Sequence, residues 1–319
     1  MNISVIGCGR WGTFIAWYLD HIGHSVKLYG RDGSQHFEKL KRDRVNEYLE
    51  LSDSMELTSD LKSAVDFAET IVISVGAQNF RECISDVSKY DIAGKNVVLC
   101  MKGIEIESGK TLTQVAKECV PTLDRIAIWV GPGHVQDFIR GIPNCMVIDS
   151  QNEQLKEDLI NEFSSELIRF YFGKDLIGNE IGAATKNIIG IAAGFLDGLG
   201  YVSLKGALMS RATREIARLL KSLGCKEQSA YGLCHLGDYE ATLFSKHSHN
   251  RMYGETFVKG EKFAKLSEGV YTTKAIVKIG GENNVELPIC QAVYDVLYNG
   301  KDVKDTLHKL FVRSLTSEF

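Results

Sequence analysis

The chain has 319 residues, 44% of them hydrophobic and 24% charged, and a formal net charge of −4. That length suits two packed domains, and the slightly acidic balance argues against a general polyanion binder, so no nucleic-acid partner is expected. No apolar run approaches the roughly 18–20 residues needed to cross a bilayer, which excludes a membrane partner of that kind.

Short β-branched runs mark the first half: Ile3–Ile6, Val26–Tyr29, Ile71–Val75, Val97–Cys100, Ile126–Val130 and Met146–Ile148. Because Ile3–Ile6 already reads as a core strand, no targeting segment is expected ahead of the fold. Amphipathic stretches lie between the runs, among them Thr13–Leu19, Phe37–Arg44 and Gly109–Glu118. Buried strands alternating with helices predict a mostly parallel sheet covered on both faces. After about residue 176 the strand signal fades, and Glu180–Leu199, Gly206–Leu223, Gln228–Tyr231, Thr272–Gly280 and Ile289–Tyr298 carry helical periodicity. The expected architecture is α/β: an N-terminal Rossmann-type doubly wound parallel sheet followed by an all-helical C-terminal domain. The boundaries read as 1–176 for a dinucleotide-binding domain and 177–319 for a helical substrate and catalytic domain, with a cleft at the join near Phe172–Gly178.

The eight cysteines are scattered and form no CxxC pair. Free thiols in a reducing cytoplasm fit that pattern better than a disulfide scaffold, and no metal site is expected.

Directly after the first run the chain reads Gly7-Cys8-Gly9-Arg10-Trp11-Gly12. Between a buried strand and an amphipathic helix, this spacing gives a turn glycine, a glycine that admits a pyrophosphate, and a glycine that lets helix and strand pack closely. The helix start then offers N–H groups to the anion. A tight turn without a ligand is the plain alternative. After the second run, Tyr29-Gly30-Arg31-Asp32 places a glycine where an acid would grip the ribose of NAD, and Arg31 where it could meet a 2′-phosphate. NADP is therefore favoured over NAD, with Asp32 leaving dual use open.

In the second half, Ile181–Leu196 is apolar except for one charged side chain, Lys186. Gly182 and Gly190 flank it on the same helical face, a spacing that clears space for something to approach the ammonium closely. Holding that charge among apolar neighbours is costly unless it is paired or its pKa is lowered. Such a lysine suits proton transfer, and a lysine snorkelling from a packed helix is the alternative.

Further segments complete a pattern: Met101-Lys102-Gly103-Ile104-Glu105, Gly131-Pro132-Gly133-His134, Lys186-Asn187 within Gly182–Gly194, Leu236-Gly237-Asp238, Ser248-His249-Asn250-Arg251 and Glu268-Gly269-Val270. In identity, order and spacing they resemble the NAD(P)-dependent glycerol-3-phosphate dehydrogenases, along essentially the whole chain. The resemblance implies reversible reduction of dihydroxyacetone phosphate to sn-glycerol 3-phosphate, with hydride transfer at C2. It makes Lys186 the proton donor and acceptor, Asp238 its orienting partner, and Lys102 a second lysine close to nicotinamide and substrate. On the substrate side it adds Gly131, Gly133, Thr242, Ser248, His249 and Asn250. On the cofactor side it adds Gly7, Gly9, Arg10, Trp11, Gly12, Arg31, Lys102, Val135, His249 and Glu268.

The departures from the family gather near the substrate. The family has an arginine immediately before the asparagine corresponding to Asn250, and this chain has His249. A neutral imidazole is a poorer partner for a dianion than a guanidinium, and Lys246, His247 or Arg251 could compensate. An asparagine that the family carries shortly after the lysine helix is absent from Tyr201-Val202-Ser203-Leu204. Gly76 replaces a usual proline, Gly133 is followed by His134, and the segment between Gly260 and Glu268 is short. These departures keep a second substrate open, another phosphorylated or acidic ketone. A dinucleotide-binding sensor without catalysis is the third reading. Apolar helical faces are compatible with a homodimer.

Overall fold

The structure, a computed structural model, describes residues 1–312. β1 (Asn2–Ile6) runs straight into α1 (Arg10–His21), and β2 (Ser25–Tyr29) returns parallel beside β1. The chain continues through α2 (Gln35–Asp43), β3 (Glu56–Thr58), α3 (Leu61–Phe67), β4 (Thr70–Ile73), α4 (Phe80–Val87) and β5 (Asn96–Leu99). It then forms α5 (Leu112–Cys119), β6 (Ile126–Val130), α6 (Val135–Phe138), β7 (Asn144–Asp149), α7 (Glu153–Phe163) and β8 (Ile168–Phe172).

These strands make one eight-stranded sheet in the order β3-β2-β1-β4-β5-β6-β7-β8. All neighbours are parallel except β6 with β7. Every residue of β4, β5 and β6 is buried, which is why these strands read as unbroken apolar runs. The strand order reverses between β1 and β4, and in doubly wound sheets ligands bind at the carboxyl end of such a switch point. The Gly7–Gly12 loop leaves β1 at that place.

The two edge strands, β3 and β8, lie outside the expected set. β3 spans only three residues. β8 alternates instead of running apolar throughout, with Ile168 and Phe170 buried and Arg169, Tyr171 and Phe172 exposed.

The chain divides into two compact units: residues 1–102 with 110–180, and residues 103–109 with 181 onward. α8 (Leu176–Gly198) starts earlier than its apolar pattern suggests and enters the second unit at Ile181. The second unit continues with α9 (Lys205–Ser222), short turns at Glu227–Tyr231 and Leu236–Asp238, a π-turn at Glu240–Phe244, α10 (His249–Val258), α11 (Glu268–Glu282), α12 (Pro288–Asn299) and α13 (Val303–Phe311). α10 and α13 were not anticipated from periodicity.

α10 packs against α8 through glycine as well as through the ring pair Phe195–Phe257, whose centroids lie 5.8 Å apart. A Cβ on Gly194 would stand 2.1 Å from the Arg251 carbonyl oxygen, and one on Gly254 would stand 2.2 Å from that of Ile191. The two backbones therefore approach as only glycine permits, and α10 buries no apolar side chain to mark it in the sequence. Among the described residues no helix is long and apolar enough to cross a membrane.

Candidate active site

Within the first unit, the three glycines after β1 play three separable parts. Gly7 has φ +112°, and a Cβ there would lie 2.2 Å from the Ser74 carbonyl oxygen, so the turn demands glycine. A Cβ on Gly12 would lie 1.9 Å from the Gly7 carbonyl oxygen, which fixes α1 against the end of β1. Gly9 differs from both, because nothing lies within 4 Å of the place its Cβ would occupy. That open cradle stands at the N-cap of α1, where no side chain caps the helix. An uncapped helix start beside open space suits a pyrophosphate. Trp11, in the same first turn, carries a buried Nε1 with no hydrogen-bond partner among the described residues, and its ring lies 6.4 Å from that of Phe138 in α6.

Beyond β2, Gly30 is fixed by packing. A Cβ there would come within 2.3 Å of the Phe37 ring of α2, so an acidic side chain that could grip a ribose has no room. Asp32 lies 3.6 Å from Lys41, also on α2, and Arg31 is exposed.

Lys102 follows β5, and its Nζ donates to the Gly131 carbonyl at 2.5 Å. Gly131 and Gly133 hold φ of +136° and +146° in the loop after β6, and a Cβ on Gly133 would strike the Phe138 ring at 2.3 Å. Val135, the first residue of α6, is buried at 2% exposure. The first unit thus brings Lys102 together with Gly131, and Trp11 together with the helix that Val135 begins.

In the second unit Lys186 is buried, and its charge is paired. Its Nζ lies 2.9 Å from Asp238 Oδ2 and donates to Thr242 Oγ1 at 2.8 Å. The side chains of Lys186 and Asp238 are 10% and 1% exposed, so the pair is screened little by water. Asp238 ends the short turn Leu236–Asp238, and Thr242 sits in the π-turn that follows. Such turns recur at functional sites because they redirect side chains that a regular helix would point elsewhere.

The two glycines beside Lys186 are places of close approach. What approaches there belongs to the same unit. A Cβ on Gly182 would lie 3.2 Å from His235 Cβ, and one on Gly190 would lie 2.9 Å from Thr242 Cγ2 and 3.1 Å from Asn250 Cβ. The glycines admit neighbouring parts of the same unit, including the residue that accepts a bond from Lys186.

Asn250 is a joint between helices. Its Nδ2 donates to Asn187 Oδ1 at 3.0 Å, while its Oδ1 accepts from Ser267 Oγ at 2.8 Å and from the Gly269 amide at 2.9 Å. Ser248 caps α10 by accepting from the Arg251 amide. His249 is partly exposed, with Nδ1 3.3 Å from the Leu266 carbonyl oxygen. Glu268 is the first residue of α11. Of the basic neighbours named as substitutes for the family arginine, Arg251 is committed elsewhere. Its guanidinium pairs with Asp197 and, at 3.0 Å, with Glu255, and it donates to the Ser245 carbonyl.

Two polar residues beside the lysine escaped the sequence reading. His235 is fully buried, and its ring bridges the Gly182 carbonyl and the Tyr239 hydroxyl. The available signal was an isolated histidine and a tyrosine flanking Asp238.

Hydride transfer to a carbonyl requires a held dinucleotide and a placed proton donor. The Rossmann-type unit offers the first in the Gly9 cradle, and the helical unit offers the second in Lys186. By class this is an NAD(P)-dependent oxidoreductase. Residues 2–156 match the N-terminal part of the NAD-dependent glycerol-3-phosphate dehydrogenases, and residues 175–308 match their C-terminal part. The chain belongs to that family. A glycerol-3-phosphate dehydrogenase [NAD(P)+] of Pelodictyon phaeoclathratiforme is 34% identical over 332 residues, covering 100% of this chain and 99% of the relative. One from a Thermoanaerobacter species is 37% identical over 331 residues, with the same coverage. The crystal structure of the Coxiella burnetii glycerol-3-phosphate dehydrogenase superposes with a TM-score of 0.91 at 26% identity, over 98% of both chains.

Proposed function

We propose that this chain reduces dihydroxyacetone phosphate to sn-glycerol 3-phosphate with NAD(P)H, reversibly, and that Lys186 is its acid/base group. The observation that carries the reading is the placement of Lys186 Nζ, 2.9 Å from a carboxylate that is 1% exposed. The named activity of the relatives supplies the substrate.

Gly7, Gly9 and Gly12, with Arg10 and Trp11, would hold the cofactor pyrophosphate at the start of α1. Arg31 would meet a 2′-phosphate, and Val135, His249 and Glu268 complete the cofactor side. NADPH is the preferred form, because Gly30 has no room for an acidic side chain. When bound, the cofactor supplies the hydride that adds to C2 of the ketone. Lys186 Nζ gives a proton to the carbonyl oxygen as it becomes a hydroxyl, and takes it back in oxidation. Asp238 and Thr242 each accept an N–H from that ammonium, which orients it. By its match to the family, Lys102 would be the second lysine of the reaction. Gly131, Gly133, Ser248, His249 and Asn250 form the substrate side. Eight free thiols suit a cytoplasmic setting, and we assign the chain to a homodimer there.

Purified protein should oxidise NADPH on addition of dihydroxyacetone phosphate. Lys186→Ala should lower kcat by about a hundredfold or more while NADPH still binds. Near-normal turnover in that variant would overturn the assignment. A second reading, reduction of another phosphorylated or acidic ketone, is favoured by one observation: Arg251 is tied to Asp197 and Glu255, so it does not replace the missing arginine at position 249. A higher kcat/KM on another such ketone would establish it.

A further inference from the structure

Asp238 and Thr242 stand on a short turn and a π-turn, elements with little repeating backbone bonding of their own. Their distance from Lys186 must therefore be set by something outside those turns. His235 lies at the start of this segment, with its ring at 0% exposure. Its Nδ1 is 2.9 Å from the Gly182 carbonyl oxygen and 3.3 Å from Thr185 Oγ1, both on α8. Its Nε2 is 2.6 Å from the Tyr239 hydroxyl, and Tyr239 is itself 0% exposed. A carbonyl only accepts, so Nδ1 carries the ring proton and Nε2 accepts from the tyrosine O–H.

Gly182 is one helical turn before Lys186, so its carbonyl lies in the turn from which the lysine projects. We propose that His235 and Tyr239 are positioning residues: the Gly182–His235–Tyr239 chain clamps the Asp238 turn onto α8 and sets the geometry of the Lys186–Asp238 pair. The inference rests on the reading of Lys186 as the acid/base group. Gly182 makes the clamp possible, since any side chain there would press on His235 Cβ at 3.2 Å. Burial pushes the His235 pKa down to about 4, so the ring stays neutral and keeps both bonds at neutral pH. The charged groups facing the ring are Asp238 and Lys186, while Glu215 of α9 and Cys290 of α12 face Tyr239.

The test compares His235→Ala, His235→Asn and Tyr239→Phe with the parent protein. Asparagine can restore the donor to Gly182 that alanine removes, and phenylalanine deletes a single oxygen. Three quantities are measured: kcat and KM across pH, NADPH affinity, and the titration of the Lys186 amine followed by 13C NMR at Cε. His235→Ala and Tyr239→Phe should lower kcat by about tenfold to a hundredfold, as expected when a reacting group is misplaced by the order of 1 Å. Both should shift the Lys186 titration and leave NADPH affinity unchanged, and His235→Asn should recover part of each change. A lower melting temperature with the parental pH profile and an unmoved Lys186 titration would overturn the proposal. If the alanine variant does not fold, Tyr239→Phe decides by the same criteria. Absence of turnover in the parent protein would sink the substrate reading alone, because the Lys186 titration still reports the clamp.

Discussion

Replacing Asp238 by leucine, Lys186 by methionine, and both together, measures how much of this site is an ion pair. The two side chains are 1% and 10% exposed and 2.9 Å apart. Removing one partner of a pair so shielded leaves a buried charge and should cost about 3–5 kcal/mol in each single variant. Independent effects would sum to roughly 6–10 kcal/mol. The double variant carries no charge and fills similar volume, so it should fall within about 1–2 kcal/mol of the parent. The expected signature is therefore a coupling of several kcal/mol, with catalysis lost in all three variants. Urea unfolding followed by circular dichroism reads the stability. All three tryptophans, Trp11, Trp17 and Trp129, belong to the first unit, so circular dichroism and not their fluorescence follows the helical unit. A loss below about 1 kcal/mol in Asp238→Leu, or simple additivity in the double variant, would refute the reasoning that the buried charges depend on each other.

Further outcomes follow from the same geometry. Arg31→Ala should raise KM for NADPH by roughly tenfold, the worth of about 1.4 kcal/mol, and leave KM for NADH unchanged; parallel changes would remove Arg31 from 2′-phosphate recognition. Gly194→Ala places a Cβ 2.1 Å from the Arg251 carbonyl oxygen and should cost about 1–3 kcal/mol by overpacking. Gly206→Ala, with nothing within 4 Å of its Cβ, should be neutral or stabilising, and the idea fails if the two variants melt alike. Burial pushes the Glu180 carboxyl up from 4.5 to about 7, against the bonds it accepts from Thr113. Its folded value is raised, so the stability it contributes is fully present below pH 4.5 and is lost as pH rises through about 7. The parent should therefore lose up to roughly 3 kcal/mol between those limits in unfolding followed by tryptophan fluorescence. Glu180→Gln should lack that slope, and an unchanged slope would refute it.

Legibility in the sequence followed the way each element is buried. β4, β5 and β6 are buried throughout and read directly as apolar runs. β8 was missed because an edge strand shows one face to water, and Arg169 and Tyr171 broke the run that Ile168 and Phe170 would have made. α10 was missed for a different reason. Part of its approach to α8 runs through Gly254, and none of its apolar side chains is fully buried, so little apolar periodicity is left to detect. The glycines beside Lys186 are legible only in part. A glycine in a sequence announces a close approach without saying what approaches, and here it is His235, Thr242 and Asn250.

The same distinction separates the buried lysine pair from the position that departs from the family. Lys186, Asp238 and Thr242 are buried and bonded to one another, so each substitution would be felt at once by the others. His249 is under no such constraint: it is partly exposed, and its protein contacts include a carbonyl at 3.3 Å and the Phe263 ring at 6.1 Å. An arginine could be exchanged for histidine there without opening a cavity or stranding a charge in the fold. The consequence of that exchange should then fall on KM for the phosphorylated substrate and leave stability within about 0.5 kcal/mol, as for other surface changes. His249→Arg tests this directly. It should lower KM for dihydroxyacetone phosphate at unchanged melting temperature, and a variant that melts differently while KM stays put would place His249 in the scaffold instead of the substrate site.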